Sequence, residues 1–190
     1  MAVATTAVAA HPERDWEKIK RAGLWLFFAS ESVVFGLLLA ARFFIEGTHV
    51  DAHLDQALGL GITSILLASS LSAFTAESAI AHGNRKLFYW GLIITILLGT
   101  VFAFGVAYEW QIAEFTQHES FGTIFFTMTG VHAAHVISGV IMLVMLLAQA
   151  LRGRFGPDDH WPVAGVVMYW HFVDVVWVFY YPALYLINFD

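Results

Sequence analysis

Five ionisable side chains, Glu31, His132, His135, His171 and Asp174, stand in stretches that are otherwise apolar, aromatic or small. The densest is YWHFVDVVWVFYYP, Tyr169 to Pro182, where His171 and Asp174 lie three residues apart. Carboxylates and imidazoles in such places can ligate a metal, relay a proton, or hydrogen-bond one another to make their burial tolerable. On a helix, positions three apart share a face, so His132 and His135 form one polar seam. By the same spacing Trp170, His171, Asp174 and Trp177 form a single stripe.

The ligand count argues against a metal. A carboxylate-bridged di-iron bundle uses about four carboxylates and two histidines. The set here offers two carboxylates, Glu31 and Asp174, and the chain has no cysteine for thiolate ligation or disulfides. The plainer expectation is bonding between helices, with Asp174 paired to His171 in its own helix and His132 or His135 opposite. Glu31, in FFASESVVF, has only serines as local partners. Glu77, near one end of its apolar stretch, is expected to reach the interface.

The elements that must position these residues follow from composition. The 190 residues are 59% hydrophobic and 13% charged, with mean hydropathy +0.70. Soluble domains carry about 25% charged residues, so such a chain would aggregate in water. A net charge of −6, without extended basic clusters, excludes nucleic acid as a partner. The N-terminus has no positive region ahead of its short alanine-rich stretch, so it does not read as a signal peptide. Residues Met1 to about Ala10 are expected to be a disordered tail, and Asp15–Arg21 a charged cytoplasmic approach.

Five segments are long and apolar enough to cross about 30 Å of hydrocarbon, near 22–45, 57–80, 87–109, 121–150 and 163–187. The expected fold is therefore an all-α integral membrane bundle of five helices over 22–190, after a cytoplasmic tail over 1–21. Arg14, Lys18, Lys20, Arg21, Arg85, Lys86, Arg152 and Arg154 all fall on one side of it. The other side holds Glu46, Asp51, Asp55, Glu114 and Glu119, with Arg42 the only basic residue near it. The positive-inside rule then puts the N-terminus in the cytoplasm and the C-terminus outside. Close packing in lipid relies on small residues four apart. Three ladders offer it: Ser64-Ala68-Ser72-Ala76, Gly91-Thr95-Gly99-Ala103-Ala107, and Gly130-Ala134-Ser138. The last lies roughly opposite the His132/His135 seam.

At these residues the chain resembles subunit III of the haem-copper oxidases, the cytochrome c oxidase family, in its five-span bacterial form. YWHFVDVVWVF is similar to that family's last helix, and TGVHAAHVISG, Thr129 to Gly139, to the helix before it. ILLASSLSAFTAESA and FFASESVVFG resemble two earlier helices, and FTQHESFGTIFFTMTG the external loop leading into the histidine helix. The resemblance runs in order over about 22–187. It begins at the third helix of the seven-span mitochondrial form, which places structural phospholipids between its first two helices and the other five. It departs at Val106, where the mitochondrial type has glutamine three residues before the acid matching Glu109.

The resemblance implies a subunit with no redox centre of its own, the haem and copper belonging to partner subunits I and II. It implies that Glu31 is the family's buried, carbodiimide-reactive glutamate. His132, His135, Trp170, His171 and Asp174 match its intramembrane polar and aromatic positions, with structural, lipid-related or proton-related roles. The implied function is to flank the catalytic subunit, support proton uptake and prevent inactivation during turnover, with bound phospholipid contributing. Subunits I and II, phospholipid and a larger respiratory supercomplex are the implied partners, and a bacterial inner membrane the implied location. A quinol oxidase or nitric-oxide-reductase-associated relative is the nearest alternative. An independent proton channel or transporter is another, but inverted repeats and broken helices are lacking, with Pro182 the one proline inside an expected span.

Overall fold

The computed structural model describes residues 15–51 and 54–188. The expected N-terminal tail, Met1 to about Ala10, lies outside the described residues. Five helices are long and apolar enough to cross a membrane: α1 (Trp16–Glu46), α2 (Gln56–Ala81), α3 (Arg85–Ile112), α4 (Ser120–Leu151) and α5 (Trp161–Tyr181). One turn of π-helix, Pro182–Leu186, continues α5. The charged approach Asp15–Arg21 is itself mostly helical, since α1 begins at Trp16.

Short polar side chains set the boundaries. Asp15, Asp55 and Asn84 cap α1, α2 and α3 by accepting from the N–H groups of Lys18, Leu58 and Leu87 at 3.2, 2.9 and 3.1 Å, satisfying donors with no partner inside the helix. Hydrogen bonds from Lys18 hold the Asp15 carboxyl below the usual carboxylate range. At the α2–α3 turn Gly83 takes φ 76°, and the N–H of Asn84 reaches back to the carbonyl of Ala79 at 2.8 Å. A glycine just past a helix end takes this left-handed conformation without a Cβ penalty. Pro182 has no N–H to continue the α-helical pattern, and its carbonyl instead accepts from Ile187 at 2.9 Å in the wider π register.

The helices run alternately up and down, so the start of α1, the α2–α3 turn and the α4–α5 loop meet at one end, here termed the basic end. The α2–α3 hairpin is the most extensive contact, and α5 packs against α2, α4 and α1. α1 sits at the edge against α4 and α5, burying Phe28, Phe35 and Arg42. Lipid gives apolar side chains no drive to leave it, so packing and polar bonds hold the bundle. The centre is a wedge. Trp170 is fully buried with its indole against Gly99 of α3 and Gly139 of α4, and its Nε1–H donates to Ser69 Oγ of α2 at 3.0 Å.

The small-residue ladders are only partly the packing seams. Gly91, Thr95 and Gly99 are buried, and a Cβ on Gly91 would lie 2.8 Å from that of Ala76. Ser64, Ala68, Ala107 and Ala134 instead face outward. On α4 the close-packed glycine is Gly139, seven residues after His132 on the same face. The polar and the close-packing positions of α4 therefore share one seam rather than opposing each other.

Candidate functional site

The five intramembrane ionisable residues divide into three separate groups. On the α1–α4 face, Glu31 Oε2 lies 3.2 Å from His135 Nε2, with side chains 22% and 21% exposed. His135 Nδ1 lies 2.8 Å from the carbonyl oxygen of Val131. A carbonyl only accepts, so Nδ1 carries a hydrogen and one further proton is shared between Nε2 and the Glu31 carboxyl. Either the acid donates to a neutral ring, or an imidazolium donates to a carboxylate. Tyr169 steadies the turn below, its hydroxyl 2.7 Å from Ser138 Oγ and donating to the His135 carbonyl at 3.2 Å.

The second group joins α2 to α5. Ser70 Oγ donates to Asp174 Oδ2 and lies 2.8 Å from His171 Nδ1. With the single hydroxyl hydrogen committed to Asp174, the serine oxygen accepts from His171 Nδ1–H. Ser70 therefore bridges two residues expected to pair directly within α5. Asp174 is buried and its Oδ1 has no protein partner. His171 is half-buried and borders a cleft between α1 and α5.

His132 forms the third group. It is fully buried between α4 and α5, its ring 4.6 Å from that of Trp177 and edge-on to Phe102 at 5.6 Å. Nε2 donates to the carbonyl of Val173 at 3.1 Å, and Nδ1 has no protein partner. Neither His132 nor His135 meets Asp174, contrary to the expected arrangement. Of the Trp170–Trp177 stripe, both tryptophans and Asp174 face the core, while His171 lies at its edge. Trp177 completes the pattern by donating to Thr63 Oγ1 at 2.9 Å.

Three residues escape reading from the sequence. Ser70 carried a weak signal, the Ser69-Ser70 pair in an apolar run, where one hydroxyl serves Trp170 and the next serves α5. Arg42 carried a stronger one, as a lone basic residue on the acidic side. It is fully buried, its guanidinium donating to the carbonyls of Gly47, at 3.1 Å, and His49, and lying 5.5 Å from the Phe121 ring. Glu109, in the last turn of α3, is buried and accepts from Tyr185 Oη at 2.8 Å, with Gln56 Nε2 donating to the Tyr185 carbonyl at 3.2 Å. Glu77 is half-buried beside the α4–α5 loop.

Among the described residues, no group of three or more His, Cys, Asp or Glu is placed to hold a metal ion. The site is a set of interhelical hydrogen bonds, one of which, between Glu31 and His135, lies close to the outer surface of the bundle.

Comparison with known proteins matches residues 5–189 to the family model described as cytochrome c oxidase subunit III. Curated relatives share the printed name "Cytochrome c oxidase subunit 3". That of Papio hamadryas is 41% identical over 92% of this chain and 72% of its own length. That of Podospora anserina is 35% identical over 86% and 65%. For the relative from Hippopotamus amphibius, 41% identical over 65% of this chain, the match spans about half of its length, 48%.

Proposed function

The chain belongs to the cytochrome c oxidase subunit III family, and on that premise we propose that it is the non-catalytic third subunit of a respiratory oxidase. The assembly would reduce oxygen and couple that reaction to proton pumping. The observation that carries this reading is the family match over residues 5–189, nearly the whole chain. In it, haem and copper belong to partner subunits I and II, and this chain holds no redox centre. It flanks the catalytic subunit, sustains proton uptake and protects the assembly from inactivation, with bound phospholipid contributing.

The geometry supports a division of labour among the polar residues. Ser70, His171 and Asp174 tie α5 to α2, and His132 and Trp170 fix the centre, so their role is to hold the bundle in one arrangement. Glu31 and His135 are partly open at the α1–α4 surface, where their shared proton can pass between carboxyl and imidazole without any helix moving. That pair is the element suited to assist proton uptake by a neighbouring subunit. The gathering of Lys18, Lys20, Arg21, Arg85, Lys86, Arg152 and Arg154 toward one end supports an N-terminus in the cytoplasm and a C-terminus in the periplasm of a bacterial inner membrane. Cytochrome c is the favoured electron donor over quinol, on the names of the relatives.

Affinity purification of the tagged chain from its native membrane, in mild detergent, tests the assignment. The expected eluate carries haem absorbance, oxygen-reducing activity and two larger subunits, one with a binuclear copper motif. A eluate holding the chain without haem-bearing partners overturns it. A haem-bearing eluate whose second subunit lacks that motif assigns quinol as donor.

A further inference from the structure

Two clefts meet along the seam between α1 and α5. The larger, of about 450 Å³, is walled mostly by apolar and aromatic side chains, with His171 and Ser32 among them. The smaller, of about 200 Å³, shares Ser32, Phe172 and Val175 with it and runs on to Gly36 and Leu39. Among the described residues, no Lys, Arg, Asp or Glu lines either cleft. From Trp161, the first residue of α5, to His171 the helix rises about 15 Å. That is half of a hydrocarbon core of about 30 Å, which puts His171 near the midplane. Apart from the Trp25 indole, the polar groups of the larger cleft are hydrogen-bond acceptors. His171 Nδ1–H is committed to Ser70, and Nε2, with no partner among the described residues, carries a lone pair. Ser32 gives its hydroxyl hydrogen to the Phe28 carbonyl at 2.7 Å, and its oxygen can still accept.

The geometry points to a binding site for one isoprenoid quinol in its reduced form. The ring occupies the larger cleft, one hydroxyl donates to His171 Nε2, and the tail follows the smaller cleft between α1 and α5. The ring keeps both of its hydrogens, so binding involves no electron transfer. The site stands on α1, α2 and α5 alone and is independent of the oxidase reading above.

A ligand that fits must bring a hydrogen-bond donor to the midplane without bringing a charge, which would find no partner there. Charged lipid heads are held at the membrane interface and do not reach this depth. A quinol does: its head is neutral, it carries two O–H donors on one flat ring, and its long apolar tail lets the whole molecule dissolve in hydrocarbon. The walls suit a flat ring. Phe28 and Phe172 lie 4.8 Å apart with planes 13° from parallel, and Trp25 stands edge-on to Phe28 at 5.8 Å, offering aromatic surface for stacking. The redox form follows from the tautomer. Because Ser70 gives its hydrogen to Asp174, the imidazole must donate through Nδ1 and accept through Nε2. A quinone has only carbonyl acceptors and makes no bond to such a ring, whereas a quinol hydroxyl donates to it.

The test uses the purified full-length chain in nanodiscs of phosphatidylcholine, titrated in the absence of oxygen. The probes are decylubiquinol, decylubiquinone, and the dimethyl ether of the quinol, which cannot donate. Native mass spectrometry counts the ligand retained. The expected result is one decylubiquinol per chain, held about tenfold more tightly than the quinone or the ether. Ala29→Leu should weaken retention about tenfold by filling the cleft from α1, where the residue is exposed, without touching the Ser70 bridge. His171→Phe removes the acceptor and should make quinol and ether equal. If that chain does not fold, the ether and Ala29→Leu still decide. Equal retention of quinol and ether by the unaltered chain, tighter retention of the quinone, or no change in Ala29→Leu would overturn the site. The readout is ligand retained rather than oxygen reduced, so failure here leaves the oxidase assignment standing, and the reverse.

Discussion

Glu31 of α1 and His135 of α4 meet at 3.2 Å across a helix interface, 104 residues apart in sequence. Val131 occupies the other ring nitrogen, so Nε2 is the ring atom that faces the carboxyl. Glu31→Gln keeps the shape, and its amide N–H can donate to the ring, so the variant should assemble and melt as wild type does. Without the titratable proton it should complete fewer turnovers before inactivation, measured by sustained oxygen uptake. Glu31→Ala, which removes the bond, should cost about 0.6 kcal/mol, the average for an interhelical hydrogen bond in a membrane protein, and no more than about 1.7 kcal/mol. A Glu31→Gln chain that fails to join the assembly would mean that an ionised carboxylate is required there.

The Trp170 wedge predicts sharply different outcomes for glycine substitutions. A Cβ on Gly139 would lie 2.8 Å from the Trp170 ring, whereas one on Gly165 meets nothing within 4 Å. Gly139→Ala should destabilise the bundle by about 1–3 kcal/mol through overpacking. Gly165→Ala should be neutral or mildly stabilising. Thermal melts of the purified variants, compared side by side, check the difference.

Asp174→Ala should lower stability more than Asp158→Ala. The first removes the acceptor that holds the half-buried Ser70 hydroxyl and with it the tie between α2 and α5, at about 0.5–1.5 kcal/mol. Asp158 is exposed on the α4–α5 loop. Equal survival of the two variants through detergent extraction would contradict the bridging role of Ser70.

Arg42→Ala should loosen the connection after α1 rather than the bundle. Its guanidinium holds the carbonyls of Gly47 and His49, so hydrogen exchange over 47–51 should quicken while α2 and α3 stay protected. Arg42→Lys should rescue only in part, since one ammonium cannot reproduce the planar fork.

The five helices were legible because each needs only length and apolarity, and the intramembrane ionisable residues because lipid makes them rare. Partner choice was not legible. Glu31 has no partner in its own helix, and His135 comes near it only once α1 is laid against α4. The face of α4 was misjudged for a related reason. In lipid both faces of a helix are apolar, so Ala134 and Gly139 look alike in sequence, although Ala134 faces outward and Gly139 receives Trp170. Arg42 also satisfies backbone carbonyls that appear only when the chain turns at Gly47.

The most direct test is removal of this chain from the purified oxidase assembly, followed by measurement of oxygen uptake from the first turnovers to inactivation. The expected result is unchanged haem content, a near-normal initial rate, and a shortened active lifetime that returning the chain restores. Loss of haem or copper with the chain, or an unaltered lifetime in its absence, would contradict a supporting, non-catalytic role.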